Sequence, residues 1–217
     1  MVTKSALAQQ LGVVAGFDDP RAPLEQYRTP PEVAASLIHT ADLQGDIEDR
    51  TVIDLGCGTG MLALAAALRG PRRVVGLDLD PAPLATAREN ERRVGTASSV
   101  EWIRADATRP PLSIEDATVV MNPPFGAQAG NEHADRAFLE TTAEIAAVSY
   151  SIHNQGSRDF VESFAADNGG EVTHAFAVEL DLPRQFDFHE AETETIDAEA
   201  FRIEWISSDG RSSQSSD

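Results

Sequence analysis

The stretch Thr51–Gly70, TVIDLGCGTGMLALAAALRG, decides the fold. TVIDL (51–55) is short, apolar and partly β-branched, as a strand covered on both faces must be. MLALAAALRG (61–70) is a run of strong helix formers ending at Gly70, a residue suited to the left-handed turn after a helix. Between them lies DLGCGTG (Asp54–Gly60). Glycines at 56, 58 and 60 allow a sharp turn and a close approach of backbone to a ligand. A dinucleotide-binding loop needs GxGxxG, but Met61 stands where its third glycine belongs. A phosphate-binding GxxxxGK[ST] loop is absent from the chain.

The pattern continues on both sides. RVVGLD (73–78), VEWIRA (100–105) and ATVVMN (117–122) read as strands, with a helix over PAPLATARENERRVG (81–95) between the first two. A helix over 134–146, a strand near 148–152 and a helix over 157–168 follow. EVTHAFAVEL (171–180) and AFRIEWI (200–206) alternate as a closing strand pair. Upstream, a short helix is expected around 4–12. A second runs from Pro30–Pro31 to about Leu43, with Thr29 as its N-cap. Such alternation implies an α/β, doubly wound parallel sheet covered on both faces. The boundaries expected are an N-terminal extension (1–23), one domain (24–206) and a polar, disordered tail (207–217).

The 217 residues hold 36 acidic against 17 basic side chains, a formal charge of −19. Lys4 is the single lysine; the other cations are arginines. A dense carboxylate surface poor in lysine is similar to that of halophile proteins, so adaptation to high salt is expected. Nine arginines lie between positions 50 and 110, and they read mainly as helix-end and solvated-face charges. One cysteine, Cys57, excludes an internal disulfide and a cysteine-based zinc site. It reads as a small side chain in a tight turn. No membrane span or signal peptide is visible, which implies a cytoplasmic protein.

In parallel sheets of this kind ligands sit beyond the carboxyl ends of the strands, where the strand order reverses. Asp54, Asp78 and Asp106 all fall at such ends. Asp78 can accept hydrogen bonds from both hydroxyls of a ribose, and Leu79 can pack on a base. The fourth strand ends in NPPF (Asn122, Pro123, Pro124, Phe125). A planar amino or amide nitrogen is a poor nucleophile because its lone pair is delocalised. The Asn122 side-chain carbonyl and the Pro123 backbone carbonyl can both accept its N–H bonds and favour the tetrahedral form that attacks. Two prolines stiffen those acceptors, and Phe125 offers a face for a flipped-out base.

The GxGxG loop preceded by Asp resembles the cofactor loop of class I methyltransferases, whose ligand is S-adenosyl-L-methionine. That resemblance implies a Rossmann-like, doubly wound, mostly parallel seven-stranded sheet with an antiparallel last strand. By that resemblance Asp106, with Ala107 beside it, contacts the adenine of the cofactor. Beyond the class I core, seven segments resemble the methyltransferase-like-five family of ribosomal RNA N6-adenine methyltransferases. They are LEQYRTPPEVAASL (24–37), VIDLGCGTGMLAL (52–64), GLDLDP (76–81), VVMNPPFGAQ (119–128), ADRAFLE (134–140), YSIHNQGSRDFV (150–161) and DLPRQFDFH (181–189). The chain is similar to an archaeal, halophile-type version. The resemblance implies an RNA substrate, in particular small-subunit ribosomal RNA, and a small zinc-binding activator protein.

Carried over, Gln26, Tyr27 and Thr29 close over the methionine end of the cofactor. Asp54 and Gly56 lie along it, with Gly58 and Gly60 completing the loop, and Asn122–Phe125 form the catalytic loop. His153 and the 186–189 segment face the substrate, although a structural role for His153 is an equal reading. Asn154 and EAETETIDAEA stand where family members carry lysines. The activator would add a strand to VEWIRA at the sheet edge. The rival activities are N5-glutamine methylation of a protein such as a release factor, DNA adenine methylation, and an inactive RNA- or protein-binding scaffold.

Overall fold

The computed structural model describes residues 3–96, 98–124, 134–183 and 193–206. Its strands are β1 (Thr51–Leu55), β2 (Arg73–Asp78), β3 (Val100–Arg104), β4 (Ala117–Met121), β5 (Ala146–Asn154), β6 (Gly170–Pro183) and β7 (Thr193–Trp205). The helices are α1 (Lys4–Leu11), α2 (Pro31–Leu43), α3 (Met61–Ala67), α4 (Pro81–Val94), α5 (Ala134–Ile145) and α6 (Arg158–Asp167). All seven strands join one sheet in the order β3-β2-β1-β4-β5-β7-β6. Neighbours from β3 to β5 are parallel, whereas β7 slots between β5 and β6 and runs antiparallel to both. This is the doubly wound, mostly parallel seven-stranded sheet with an antiparallel last strand that the sequence resemblance implied.

Side chains two apart on a strand share a face, and both faces here are dry. Val52, Val74 and Val120 pack beneath α1, α2 and α3. Their neighbours Ile53, Val75 and Val119 join Leu139 of α5 with Val161 and Phe164 of α6. Double coverage explains why the strands read as unbroken apolar runs. The N-terminal extension contributes to the first layer, since Leu7, Leu11 and Val14 are buried in it.

Element ends obey local chemistry. α4 starts where the Asp80 carboxylate accepts from the Ala82 N–H and ends at Gly95 in the left-handed region, with Arg92 and Arg93 in its last turn. Thr29 is not the N-cap of α2; Pro30 holds that place without a side-chain bond, and the Thr29 hydroxyl is used elsewhere. β5 begins one residue inside the expected helix, and the closing hairpin is longer than expected at both ends of β6. The tail (207–217) lies outside the described residues. Among the described residues no helix is long and apolar enough to cross a membrane.

β2 follows β1 on one side and β4 flanks it on the other, so the strand order reverses between β1 and β4. The crevice at their carboxyl ends is the expected ligand position in such sheets.

Candidate active site at the switch in strand order

Two adjoining cavities open at that point. The larger, of about 180 Å³, is lined by Gln26, Tyr27, Gly56, Gly58, Asp78, Leu79, Asp106, Ala107, Asn122 and Pro124. Phe17, Leu24, Glu25 and Phe138 complete it. The smaller shares Phe17, Tyr27, Gly56, Gly58 and Asn122, and adds Arg28, Thr29, Asp54, Cys57, Thr59, Met61 and Leu62. Most of the residues expected from sequence thus converge, although they come from five separate stretches of chain.

The glycine loop is set by close approaches. Gly58 has φ +52°, and a Cβ there would lie 2.8 Å from the Phe17 ring. Gly60 departs from expectation, because it lines neither cavity. At φ +92° it turns the chain into α3, and a Cβ would lie 2.6 Å from Trp102, away from the cavities. The same indole lies 2.6 Å from where a Cβ on Gly76 would stand. A glycine inside a strand often marks such an approach, so Gly76 was the available signal for Trp102.

The aspartates are tied into the scaffold. Asp54, 1% exposed, accepts from the Ala63 N–H at 2.8 Å in the first turn of α3. Burial pushes its carboxyl up to about 7, offset in part by that bond, with the charge of Asp78 adding to the rise. Asp78 accepts from Gly58 N–H and Asp80 N–H, each at 2.8 Å, one on each oxygen. Each oxygen therefore retains a lone pair for a ligand. Burial also raises its carboxyl above the usual range. Asp106 is exposed at the mouth and uses one oxygen to hold Thr108. Burial, reinforced by Asp54 and Asp78, drives the Cys57 thiol well above its ordinary value, so the inert reading of this cysteine stands.

Gln26 lines the larger cavity. Its amide accepts from Arg21 N–H at 2.9 Å and donates to Asp80 at 3.1 Å, which fastens the entry segment beside the end of β2. Sequence reasoning missed Asn90, wholly buried on α4. Its amide bonds both polar groups of Ala15 and the Thr59 carbonyl, locking the N-terminal arm to the glycine loop. A polar side chain on the face of α4 that carries Leu84 and Ala87 was the trace it left.

Asn122 follows β4. Its Nδ2 donates to Thr29 Oγ1 at 3.0 Å, and its Oδ1 is buried with no hydrogen-bond partner. Pro123 is buried behind it, Pro124 lines the cavity, and Phe125 lies outside the described residues, as does the 186–189 segment. His153 is 1% exposed. Its Nε2 meets Ser151 Oγ at 2.9 Å, and its ring stands edge-on to Phe201, so the structural reading holds. Several of the nine arginines are likewise engaged: Arg73 grips Glu101 at two points, and Arg88 and Arg104 bond backbone carbonyls.

The arrangement fits S-adenosylmethionine. An exposed apolar face at Leu79 and a pair of carboxylates suit a nucleoside, while the narrower cavity at Asp54 suits a zwitterionic tail. Asn122, which lines both cavities, holds a buried and unsatisfied acceptor.

Comparisons with known proteins agree. The methyltransferase small domain family matches residues 33–148. The rRNA N(6)-adenosine-methyltransferase Mettl5 of Drosophila melanogaster is 34% identical over 203 residues, spanning 91% of this chain and 94% of its own. Its counterpart in Danio rerio is 32% identical over 194 residues, spanning 88% and 93%. The crystal structure of a candidate RNA methyltransferase from Pyrococcus horikoshii matches with a TM-score of 0.86 at 37% identity, covering 95% of this chain and 99% of that one. With the matched span exceeding half its length and relatives of nearly its full extent, this chain belongs to the methyltransferase small domain family, as a Mettl5-type, S-adenosylmethionine-dependent methyltransferase.

Proposed function

We propose that this enzyme methylates N6 of an adenosine in ribosomal RNA, specifically of the small subunit, in the cytoplasm. The carrying observation is that Asn122, which lines both cavities, has a buried Oδ1 with no partner. A buried acceptor without a donor costs about 1–3 kcal/mol, which a ligand N–H would recover. Bound S-adenosylmethionine supplies an electrophilic methyl group on a sulfonium. The chain's part is to shape the nucleophile. Thr29 Oγ1 accepts from Asn122 Nδ2 and so fixes the amide of a residue that lines both cavities, and Pro123 offers a backbone carbonyl beside it. Two acceptors on one amino group stabilise the nitrogen as it leaves conjugation, and solvent takes the released proton afterwards. Phe125 would stack the base.

The rRNA-methylating relatives and the Phe at position 125 favour adenosine over the glutamine of a protein. Incubation with tritiated-methyl cofactor and separated RNA, DNA and protein should place label in N6-methyladenosine of the small ribosomal subunit. Label in protein glutamine would establish the rival activity instead, and no label in any fraction would support the inert scaffold.

Asp54, Asp78 and Asp106 are proposed to hold the ammonium, ribose and adenine of the cofactor in turn. A proton held by Asp54 up to about pH 7 opposes an ammonium ligand. Because its folded value lies above the ordinary 3.8, Asp54 weakens folding as pH rises from about 4 to about 7, then has no further effect. Binding has the opposite slope: cofactor affinity should rise with pH and level off above about 7. Below that the loss approaches about tenfold per unit. Titrations at pH 6 and pH 8 should differ in the wild type and agree in Asp54→Asn. Equal affinities in the wild type would remove the charge from this role.

High-salt adaptation rests on the −19 charge and single lysine. Salt screens the self-repulsion, so the melting temperature should climb from dilute buffer to molar KCl. A flat profile would reject the adaptation. The activator protein is proposed to pair with β3, whose outer edge has no neighbour among the described strands and carries the half-buried Trp102 and Ile103. Full solubility and cofactor affinity of the isolated chain would argue against it.

A further inference from the structure

We infer that Arg28 forms a carboxylate subsite, binding the amino-acid carboxylate of S-adenosylmethionine opposite Asp54 in the smaller cavity. The inference rests on the cofactor and is independent of the methyl acceptor. Arg28 lines that cavity with Asp54, Thr29, Thr59 and Asn122. Its Nε is buried and has no hydrogen-bond partner. Its stem lies along Gly16, where a Cβ would stand 3.3 Å from Arg28 Cδ, so the glycine makes room for the side chain. No ion pair within 4.0 Å involves Arg28 among the described residues; Glu32, in the first turn of α2, acts on it only at longer range. Burial lowers its affinity for its proton, as it does for a cation short of compensation.

Charge complementarity selects the ligand group. Arg28 is the one cation among the described residues lining the two cavities, against Glu25, Asp54, Asp78 and Asp106. The cofactor carries two positive groups and one negative. Its ammonium and sulfonium suit the carboxylates, while its carboxylate has Arg28 alone as a charged partner. A guanidinium can grip a carboxylate through two parallel N–H bonds, and Nε–H is one of the donors in that fork.

Calorimetry with S-adenosylmethionine and with its decarboxylated analogue tests this. Arg28→Ala should weaken S-adenosylmethionine by about 10–100-fold, the range of a charge-assisted bond lost in a partly buried site. The analogue, which keeps the ammonium and lacks the carboxylate, should change by less than about twofold. Arg28→Lys should recover part of the loss, since a point charge keeps attraction without the fork. Thermal melting confirms that each variant is folded. An equal loss for both ligands would make Arg28 a scaffold residue, and no loss for either would place the carboxylate elsewhere; both outcomes overturn the subsite. Failure of the wild type to bind S-adenosylmethionine would bring down the cofactor reading as well, and so is told apart from failure of the subsite alone.

Discussion

Replacement of Asn122 by Ala should reduce methyl transfer by about 10³-fold while leaving the cofactor dissociation constant within about threefold of wild type. The rate effect is that of removing one preorganised polar partner from a developing charge, worth about 2.7–4 kcal/mol. The binding effect is small because the proposed cofactor partners, Asp54, Asp78 and Asp106, stay fixed by bonds that do not pass through Asn122. Asn122→Asp keeps an acceptor oxygen and should lose less. Thr29→Val leaves Asn122 in place but deletes the hydroxyl that its Nδ2 meets. The amide can then rotate, and an intermediate loss of about tenfold is expected. Single-turnover transfer and calorimetry on the three variants check the order. Full activity in Asn122→Ala, or parallel losses of rate and cofactor affinity, would sink the role assigned to this side chain.

The pieces legible in the sequence were those whose signal is local. Strand, GxGxG and helix follow one another without a gap, and NPPF sits directly after β4, so position along the chain predicted position at the switch in strand order. What stayed hidden was the choice of partner across the chain. Thr29 reads as a helix cap because it precedes Pro30–Pro31, yet its hydroxyl meets Asn122, 93 residues away. Gln26 reads as a residue beside a ligand, and only the fold shows that its amide also ties Arg21 to Asp80. Gly60 belongs to the ligand loop by spacing, but the indole of Trp102 beneath it explains the missing side chain. Such assignments depend on which surfaces meet, and periodicity carries no record of that.

The largest stability effect should come from Asp46, in the turn before β1. Its carboxylate accepts from Tyr150 Oη at 2.5 Å and from Arg202 Nε at 2.9 Å, while its carbonyl accepts from Thr118 Oγ1. Burial and the neighbouring Asp46 together hold the Tyr150 phenol protonated, well above its ordinary range. Burial opposes the charge of Arg202, but Asp46 and Glu204 more than offset that cost. One side chain thus clamps β5 and β7 to the start of β1. Asp46→Ala would strand a buried guanidinium and a buried phenol, a loss of about 3–5 kcal/mol. Glu204, half-exposed, still pairs with Arg202 and places the loss toward the lower part of that range. At roughly 2–4 °C per kcal/mol for a chain of this size, the midpoint should fall by about 6–16 °C. Removal of the exposed Arg158–Glu162 pair should leave the midpoint nearly unchanged by the same measurement. Asp46 lies at the amino ends of the strands, opposite the cavities, so the folded variant should bind cofactor normally. A midpoint within about 2 °C of wild type would mean that the buried network contributes little beyond its own desolvation cost.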